Sequence, residues 1–111
     1  MNTGKIISAV CTVSGAVCGG AAGKGLSFAL KGGTAQAMVS GQIYRLLGTL
    51  SSSGDDREAA LEALEAAVTA LCGYRGDGIY RISAPSPAVL SYNGGFRFDR
   101  EIIIIAGEEE E

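Results

Sequence analysis

The sequence predicts an α+β domain: a mainly antiparallel sheet of about four to five strands, one long amphipathic helix packed on it, and a short N-terminal helix. Three observations support this prediction. Apolar and polar residues alternate over short stretches that turn signals separate, which is typical of half-buried strands. One stretch, from about Asp55 to Cys72, repeats its apolar residues at helical spacing. A run of four isoleucines, Ile102–Ile105, is typical of a strand covered on both faces.

The N-terminal half is predicted to contain a short helix and three strands. Four apolar residues near the start share the spacing of one helix face: Ile6, Val10, Val13 and Val17. They predict a helix over Thr3–Cys18, although their β-branched side chains leave a strand as the alternative. Leu26–Lys31 and Thr34–Val39 follow as two strands separated by Gly32-Gly33. After a turn at Ser40-Gly41, a third strand is predicted over Gln42–Leu50.

The main helix is predicted over Asp55–Cys72, after a loop at Ser51–Asp56. Ser53 and Asp56 match a capping box, and Gly73 is suited to the position after a helix end. One face of this helix is an apolar stripe that we expect to pack on the sheet: Ala60, Leu61, Leu64, Val68 and Leu71.

The C-terminal part is predicted to close the sheet. Ile79–Ser83 forms a short strand, and the prolines of Ala84–Pro87 require an edge or a loop. After a turn at Asn93–Gly95, the last strand runs over Phe96–Ala106. We expect residues 1–107 to form a single domain and Glu108–Glu111 an acidic tail.

The composition excludes several classes of function. The chain has 111 residues and a net charge of -3, and its nine basic residues are scattered, so a specific nucleic-acid interface is not expected. No stretch approaches the roughly 20 apolar residues of a membrane span. The low charged fraction of 19% favours an oligomer that covers part of its own surface. Three cysteines without close pairing predict reduced, unpaired thiols in a cytosolic fold, with a secretory leader at Ile6–Val17 as the alternative.

No catalytic, cofactor-binding or metal-binding residue is predicted, and we therefore expect a protein that is not an enzyme. The chain has no histidine, the commonest general base and metal ligand. Gly23-Lys24-Gly25 lacks the earlier glycine and the hydroxyl residue of a phosphate-binding loop. Glu62 and Glu65 are spaced like a carboxylate pair, but they lie opposite the apolar stripe and should be solvated.

A charged triplet, Asp99-Arg100-Glu101, interrupts the last strand. In a monomer it would mark the exposed start of that strand. In an oligomer it could form salt bridges across a subunit contact, and we keep both interpretations.

The order of these elements resembles that of the tail terminator and minor capsid proteins of long-tailed bacteriophages, which share the lambda-type tail terminator fold. The resemblance covers about residues 26–106. It depends on the element order, on Ser83-Ala84-Pro85 before the closing hairpin, and on Phe96-Arg97-Phe98 at the entry to the last strand. The turn Val39–Gln42 departs from the family pattern because it lacks its Tyr and Asp.

The resemblance implies a structural virion protein, assembled in the host cytoplasm, that forms a homo-oligomeric ring, usually a hexamer. The ring would cap the tail tube, with the tail tube protein and a head-completion or connector protein as partners. Together with the net charge, it implies a DNA channel whose candidate acidic groups are Glu58, Glu62, Glu65, Glu108, Glu109, Glu110 and Glu111. Another head–tail connector component and a non-viral cytosolic α+β interaction domain remain the alternatives.

Overall fold

The computed structural model describes residues 3–18, 25–38, 41–92 and 94–107. In chain order the elements are α1 (Thr3–Ser14), β1 (Val17–Cys18), β2 (Gly25–Met38), β3 (Gly41–Gly54), α2 (Arg57–Cys72), β4 (Ile79–Ser83), β5 (Val89–Tyr92) and β6 (Phe96–Gly107). The strands form one sheet in the order β1-β2-β3-β6-β4, and β5 pairs with β6 beside β4. Every pair except β1–β2 is antiparallel, which confirms the predicted fold class.

Helix α2 begins two residues later than predicted and ends at Cys72, as predicted. Asp56 is its N-cap, and the Asp56 carboxylate accepts hydrogen bonds from the backbone N–H groups of Glu58 and Ala59. Ser53 belongs to β3, so the predicted capping box is wrong. Asp56 alone accepts hydrogen bonds from the backbone N–H groups of the first turn that have no partner within the helix. Gly73 follows the helix with φ -88°, so its freedom to adopt a left-handed conformation is not used.

The core lies between the helices and one side of the sheet. Leu64 and Leu71 of α2 are fully buried, as are Ile102 and Ile104 of β6 and Leu50 of β3. Helix α1 contributes further buried residues, Ile6 and Val10. Of the predicted stripe on α2, only Leu61 is half-buried rather than buried.

The predicted break at Gly32-Gly33 is wrong, because β2 runs through it as one strand. A β-bulge between Leu30 and Gly32 absorbs the irregularity, and β2 pairs with β3 on both sides of it. Glycine also allows close packing further along this hairpin: a Cβ at Gly48 would lie 2.7 Å from Cε1 of the Phe28 ring. Strand β3 continues through Ser51–Ser53, which was predicted to be loop.

Helix α1 is shorter than predicted and ends at Ser14. Gly15 follows with φ +74° and donates its N–H to the carbonyl of Cys11, which stops the helix. Val17 then lies in β1 with 63% of its surface exposed, so it is not part of the helical stripe.

Strand β5 was not predicted, because Val89–Tyr92 shows no apolar alternation that a buried face would require. All four of its side chains are exposed, and it is held by pairing with the start of β6. Tyr92 packs edge-on against Phe96 across this hairpin, with ring centroids 5.2 Å apart.

Candidate functional site

One side of the sheet is not covered by either helix, and we call it the open face. On β3 and β6, the residues that alternate with the buried core positions belong to it. Leu47, Ile103 and Ile105 are only half-buried there. The prediction that the isoleucine run is covered on both sides is therefore wrong for the described chain, because Ile102 and Ile104 face α2 while Ile103 and Ile105 face away.

The open face is basic at the end where β4 pairs with β6. The strand register places Arg45 of β3 and Arg81 of β4 on either side of Ile105 of β6, in one row. Lys31, which stands at the bulge of β2, lies beside Arg45 in a groove of about 120 Å³ that also includes Leu47. All three cations are exposed, and none forms an ion pair within the part of the chain that the structure describes.

The other end of the open face contains a closed hydrogen-bond network. The Ser51 hydroxyl donates to Asp99 Oδ1 at 2.5 Å, and the Arg97 guanidinium pairs with the same carboxylate at 3.0 Å. A groove of about 340 Å³ runs past these three residues to Lys31. Thr49 also lines this groove, and its hydroxyl is buried without a hydrogen-bond partner. The network neutralises Asp99 within the chain.

The charged triplet, for which a subunit contact was one of two interpretations, is divided between the two sides of the sheet. Asp99 and Glu101 lie on the open face, and Glu101 is exposed. Arg100 points the other way, and its guanidinium donates to the carbonyl oxygens of Ser86 at 2.8 Å and Ala84 at 3.0 Å. Arg100 therefore stabilises the proline-containing loop between β4 and β5. Of the three residues, Glu101 is the one whose exposed side chain is available for contact with a neighbouring molecule.

The predicted acidic groups of α2 lie on the opposite side of the domain from the open face. Glu58, Glu62 and Glu65 are all exposed on the side of the helix that turns away from the sheet, and we call them the acidic helix face. The only basic residue of α2, Arg57, lies over its own Phe98, 6.0 Å from the ring centroid. The tail Glu108–Glu111 lies outside the described residues, as does Lys24 of the glycine-rich segment.

A third groove, of about 400 Å³, separates α1 from the loop after α2. Lys5 forms an ion pair with Asp77 at 3.7 Å, and the Tyr74 hydroxyl donates to the same carboxylate at 2.5 Å. The hydrogen bond to Asp77 raises the pKa of Tyr74 above its ordinary value. Asp77 occupies a left-handed conformation with φ 54°, which lets the tight Gly76-Asp77-Gly78 turn direct its carboxylate towards α1. The arrangement suits a structural contact between α1 and this turn.

The cysteines differ from their prediction. Cys11 is disulfide-bonded and Cys72 is free, so the prediction of three reduced thiols is wrong for Cys11. The described residues contain no cluster of acidic or cysteine side chains suited to a metal ion. Neither described helix is long and apolar enough to cross a membrane.

The basic row of Lys31, Arg45 and Arg81 was missed by sequence reasoning. Alternation along Gln42–Leu50 did place Ile43 and Leu47 on the face to which Arg45 belongs. Arg81 joins this row only through the pairing of β4 with β6, and Lys31 only through the bulge. The signal for the full row is therefore the strand register, which a single sequence does not specify.

Comparison with known proteins does not identify a family for this chain. No protein-family model matches the chain, and no curated protein matches it. The class that the structure defines is an α+β domain with one helix-covered and one open sheet face.

Proposed function

We propose that this protein is a structural component of a bacteriophage virion, a tail terminator that forms a homo-oligomeric ring. The ring would cap the tail tube and join it to the head-completion or connector protein. The order of β2, β3, α2, β4 and β6 supports this proposal, because it agrees with the element order on which the resemblance to tail terminators depends, except that Leu26–Lys31 and Thr34–Val39 form one strand.

The observation that carries the proposal is the open face. Leu47, Ile103 and Ile105 are only half-buried on this face. Beside them lie three exposed cations that have no ion-pair partner in the described chain: Lys31, Arg45 and Arg81. Antiparallel sheets with one solvated face usually present polar residues there. A face that combines branched apolar side chains with unpaired charges is instead typical of a contact with another molecule, in which an apolar centre is surrounded by a polar rim.

The net charge agrees with a ring through which DNA passes. Six chains would together carry six times -3, or -18. Acidic groups on a channel wall repel phosphates, whereas basic groups would bind them with release of counterions and retain the strand. In this proposal the neighbouring proteins along the channel are the tail tube protein and a head-completion protein.

The disulfide at Cys11 favours a virion protein over a cytosolic adaptor domain. Disulfides persist in oxidising surroundings, which include virion surfaces, and they are rare in proteins that function in the cytosol. A virion leaves its host cell, so its components meet such surroundings even when they are assembled in the cytoplasm.

The mass of the native protein tests the proposal. A single chain has a mass of 11.3 kDa, so a hexamer has a mass of about 68 kDa. We expect light scattering coupled to size-exclusion chromatography to find the larger species, and negative-stain electron microscopy to show closed rings with a central channel. A monomer at all concentrations, with and without a tail tube protein, would refute the proposed function.

A further inference from the structure

We infer that the open face of one chain binds the acidic helix face of the next chain, so that the copies associate head to tail. This inference deepens the proposed function and depends on it, because it identifies the surfaces that would build the ring. The acidic helix face consists of Glu58, Glu62 and Glu65, and it lies on the side of the domain opposite the basic row of the open face.

The charges of the two surfaces are complementary. Arg45 and Arg81 of the open face have no carboxylate partner within the described chain, and the open-face Asp99 is paired with Arg97. Glu101 is the remaining exposed carboxylate of this face, and the three cations Lys31, Arg45 and Arg81 outnumber it, so the face keeps an excess of positive charge. The acidic helix face has no cation of its own, because Arg57 lies over Phe98. Like charges repel when two copies present the same surface to each other, so a contact between helix and sheet is favoured over helix–helix or sheet–sheet contacts.

The spacing of the charges also agrees. Arg45 and Arg81 stand on β3 and β4 with β6 between them, so they are about 10 Å apart at a strand separation of about 4.8 Å. Glu58 and Glu65 are two turns apart on one line of α2, which is about 10.5 Å at about 1.5 Å per residue. A helix that crosses the strands can therefore place both carboxylates opposite both guanidinium groups at once.

The surfaces beside the charges are suited to close approach. Ala59, Ala66 and Ala70 are exposed along one flank of the acidic helix face, and their small side chains allow the helix to approach a sheet closely on that flank. Across the sheet, Ile105 lies between the two arginines and Ile103 lies one row further along, and both are half-buried. Burial of these side chains supplies the apolar part of the contact, and the charge pairs around it determine its register.

Such a contact is heterologous, because two different surfaces of the chain meet. Heterologous contacts build rings when the rotation between copies closes, and open filaments when it does not. The contact places Glu58, Glu62 and Glu65 between subunits and not on the channel wall. Of the acidic groups predicted for the channel, only the tail Glu108–Glu111 is then left for that wall.

Charge reversal tests the inference with two variants, each changed on one surface only. The first carries Glu58→Lys and Glu65→Lys, and the second carries Arg45→Glu and Arg81→Glu. All four positions are exposed, so circular dichroism and thermal unfolding of both variants should match the wild type. Each variant alone places like charges across the contact, and we expect its self-association to weaken by at least about 100-fold.

The mixture of the two variants gives the decisive result. The lysine helix of the first variant faces the glutamate sheet of the second, and the glutamate helix of the second faces the arginine sheet of the first. We expect the equimolar mixture to restore assemblies with alternating variants, and a chain with all four changes to assemble alone. Native mass spectrometry identifies assemblies that contain the two variants in equal numbers, as alternation requires, because the two variants differ in mass.

The possible results separate this inference from the proposed ring. Assembly of the first variant alone at wild-type strength would overturn the inference, since it would show that α2 is not in the contact. Failure of the mixture to assemble would overturn it as well. In either case a wild-type ring would leave the proposed function standing. Open filaments of the wild type, with rescue by the mixture, would support the contact and refute the ring. A wild type that stays monomeric would refute both.

Discussion

Replacing Leu64 with alanine tests whether α2 is anchored to the sheet as the structure indicates. Leu64 is fully buried in the core between α2 and the sheet. The change removes three carbon atoms, which corresponds to about 2.4 kcal/mol at about 0.8 kcal/mol per buried methylene group. The cavity that remains adds to this loss, because a packed core relaxes only in part. We therefore expect the free energy of unfolding to fall by about 3–4 kcal/mol.

Urea unfolding followed by far-ultraviolet circular dichroism measures this loss, and Leu90→Ala is the matched control. The same atoms are removed at Leu90, but that side chain is 43% exposed on β5, so no closed cavity forms. We expect the control to lose about 1.4 kcal/mol at most, as an upper bound from its buried fraction. A loss below about 0.5 kcal/mol for Leu64→Ala, or a loss no larger than that of the control, would refute the packing of α2.

Three further outcomes are expected from the structure. Gly48→Ala should lower the free energy of unfolding by about 1–3 kcal/mol, because the added Cβ would clash with the Phe28 ring. At Gly32, an added Cβ meets nothing within 4 Å, so the control Gly32→Ala should change the free energy of unfolding by less than about 1 kcal/mol. Equal effects of the two changes would contradict the close packing at Gly48. Thiol titration of the denatured protein should find fewer than three free thiols before reduction and three after it, because Cys11 is disulfide-bonded, and three before reduction would disprove the disulfide. Asp77→Asn should lower the pKa of Tyr74 towards its ordinary value of 10.0, since the hydrogen bond that raises it is weakened. Absorbance titration at 295 nm measures this shift, and the stability linked to the raised pKa should be present at neutral pH and decline as the pH rises above 10.0.

The sequence was informative where local chemistry decides the structure. Helix α2 combines apolar spacing, an acidic first turn and an N-capping aspartate, all within one continuous segment. Strand β4 was predicted with its observed bounds, Ile79–Ser83, because a proline-containing loop follows it. In both cases the signals that begin and end the element are adjacent in the chain.

Sequence reasoning was wrong where distant pairing overrides local preference. Two adjacent glycines normally interrupt a strand, but β3 supplies a continuous ladder of partners, and a bulge at Leu30 and Gly32 keeps β2 in register. Strand β5 has no buried side chain at all, so its only reason to be extended is the edge of β6. The two faces of the isoleucine run could not be distinguished either, because alternation does not reveal which layer covers a strand.

In the candidate site, too, features set by local sequence could be predicted and features set by distant strand pairing could not. The acidic helix face could be predicted from the sequence, because Glu58, Glu62 and Glu65 repeat at helical spacing. The basic row could not, because Arg45 and Arg81 lie 36 positions apart in the chain and become neighbours of Ile105 only through β6. The disulfide at Cys11 was missed because cysteine count and spacing alone favoured free thiols.

The position of β6 in the sheet has a consequence for synthesis on the ribosome. It pairs with β3 on one side and with β4 and β5 on the other, yet it follows all of them in the chain. Until residues 96–107 have left the exit tunnel, β3 has no neighbour on that side, and Leu46 and Leu50 lack the isoleucines that complete their layer. Until then, the helices and the β2–β3 hairpin form an incomplete intermediate that is prone to aggregation. The domain completes its folding only when β6 inserts between strands that were synthesised before it.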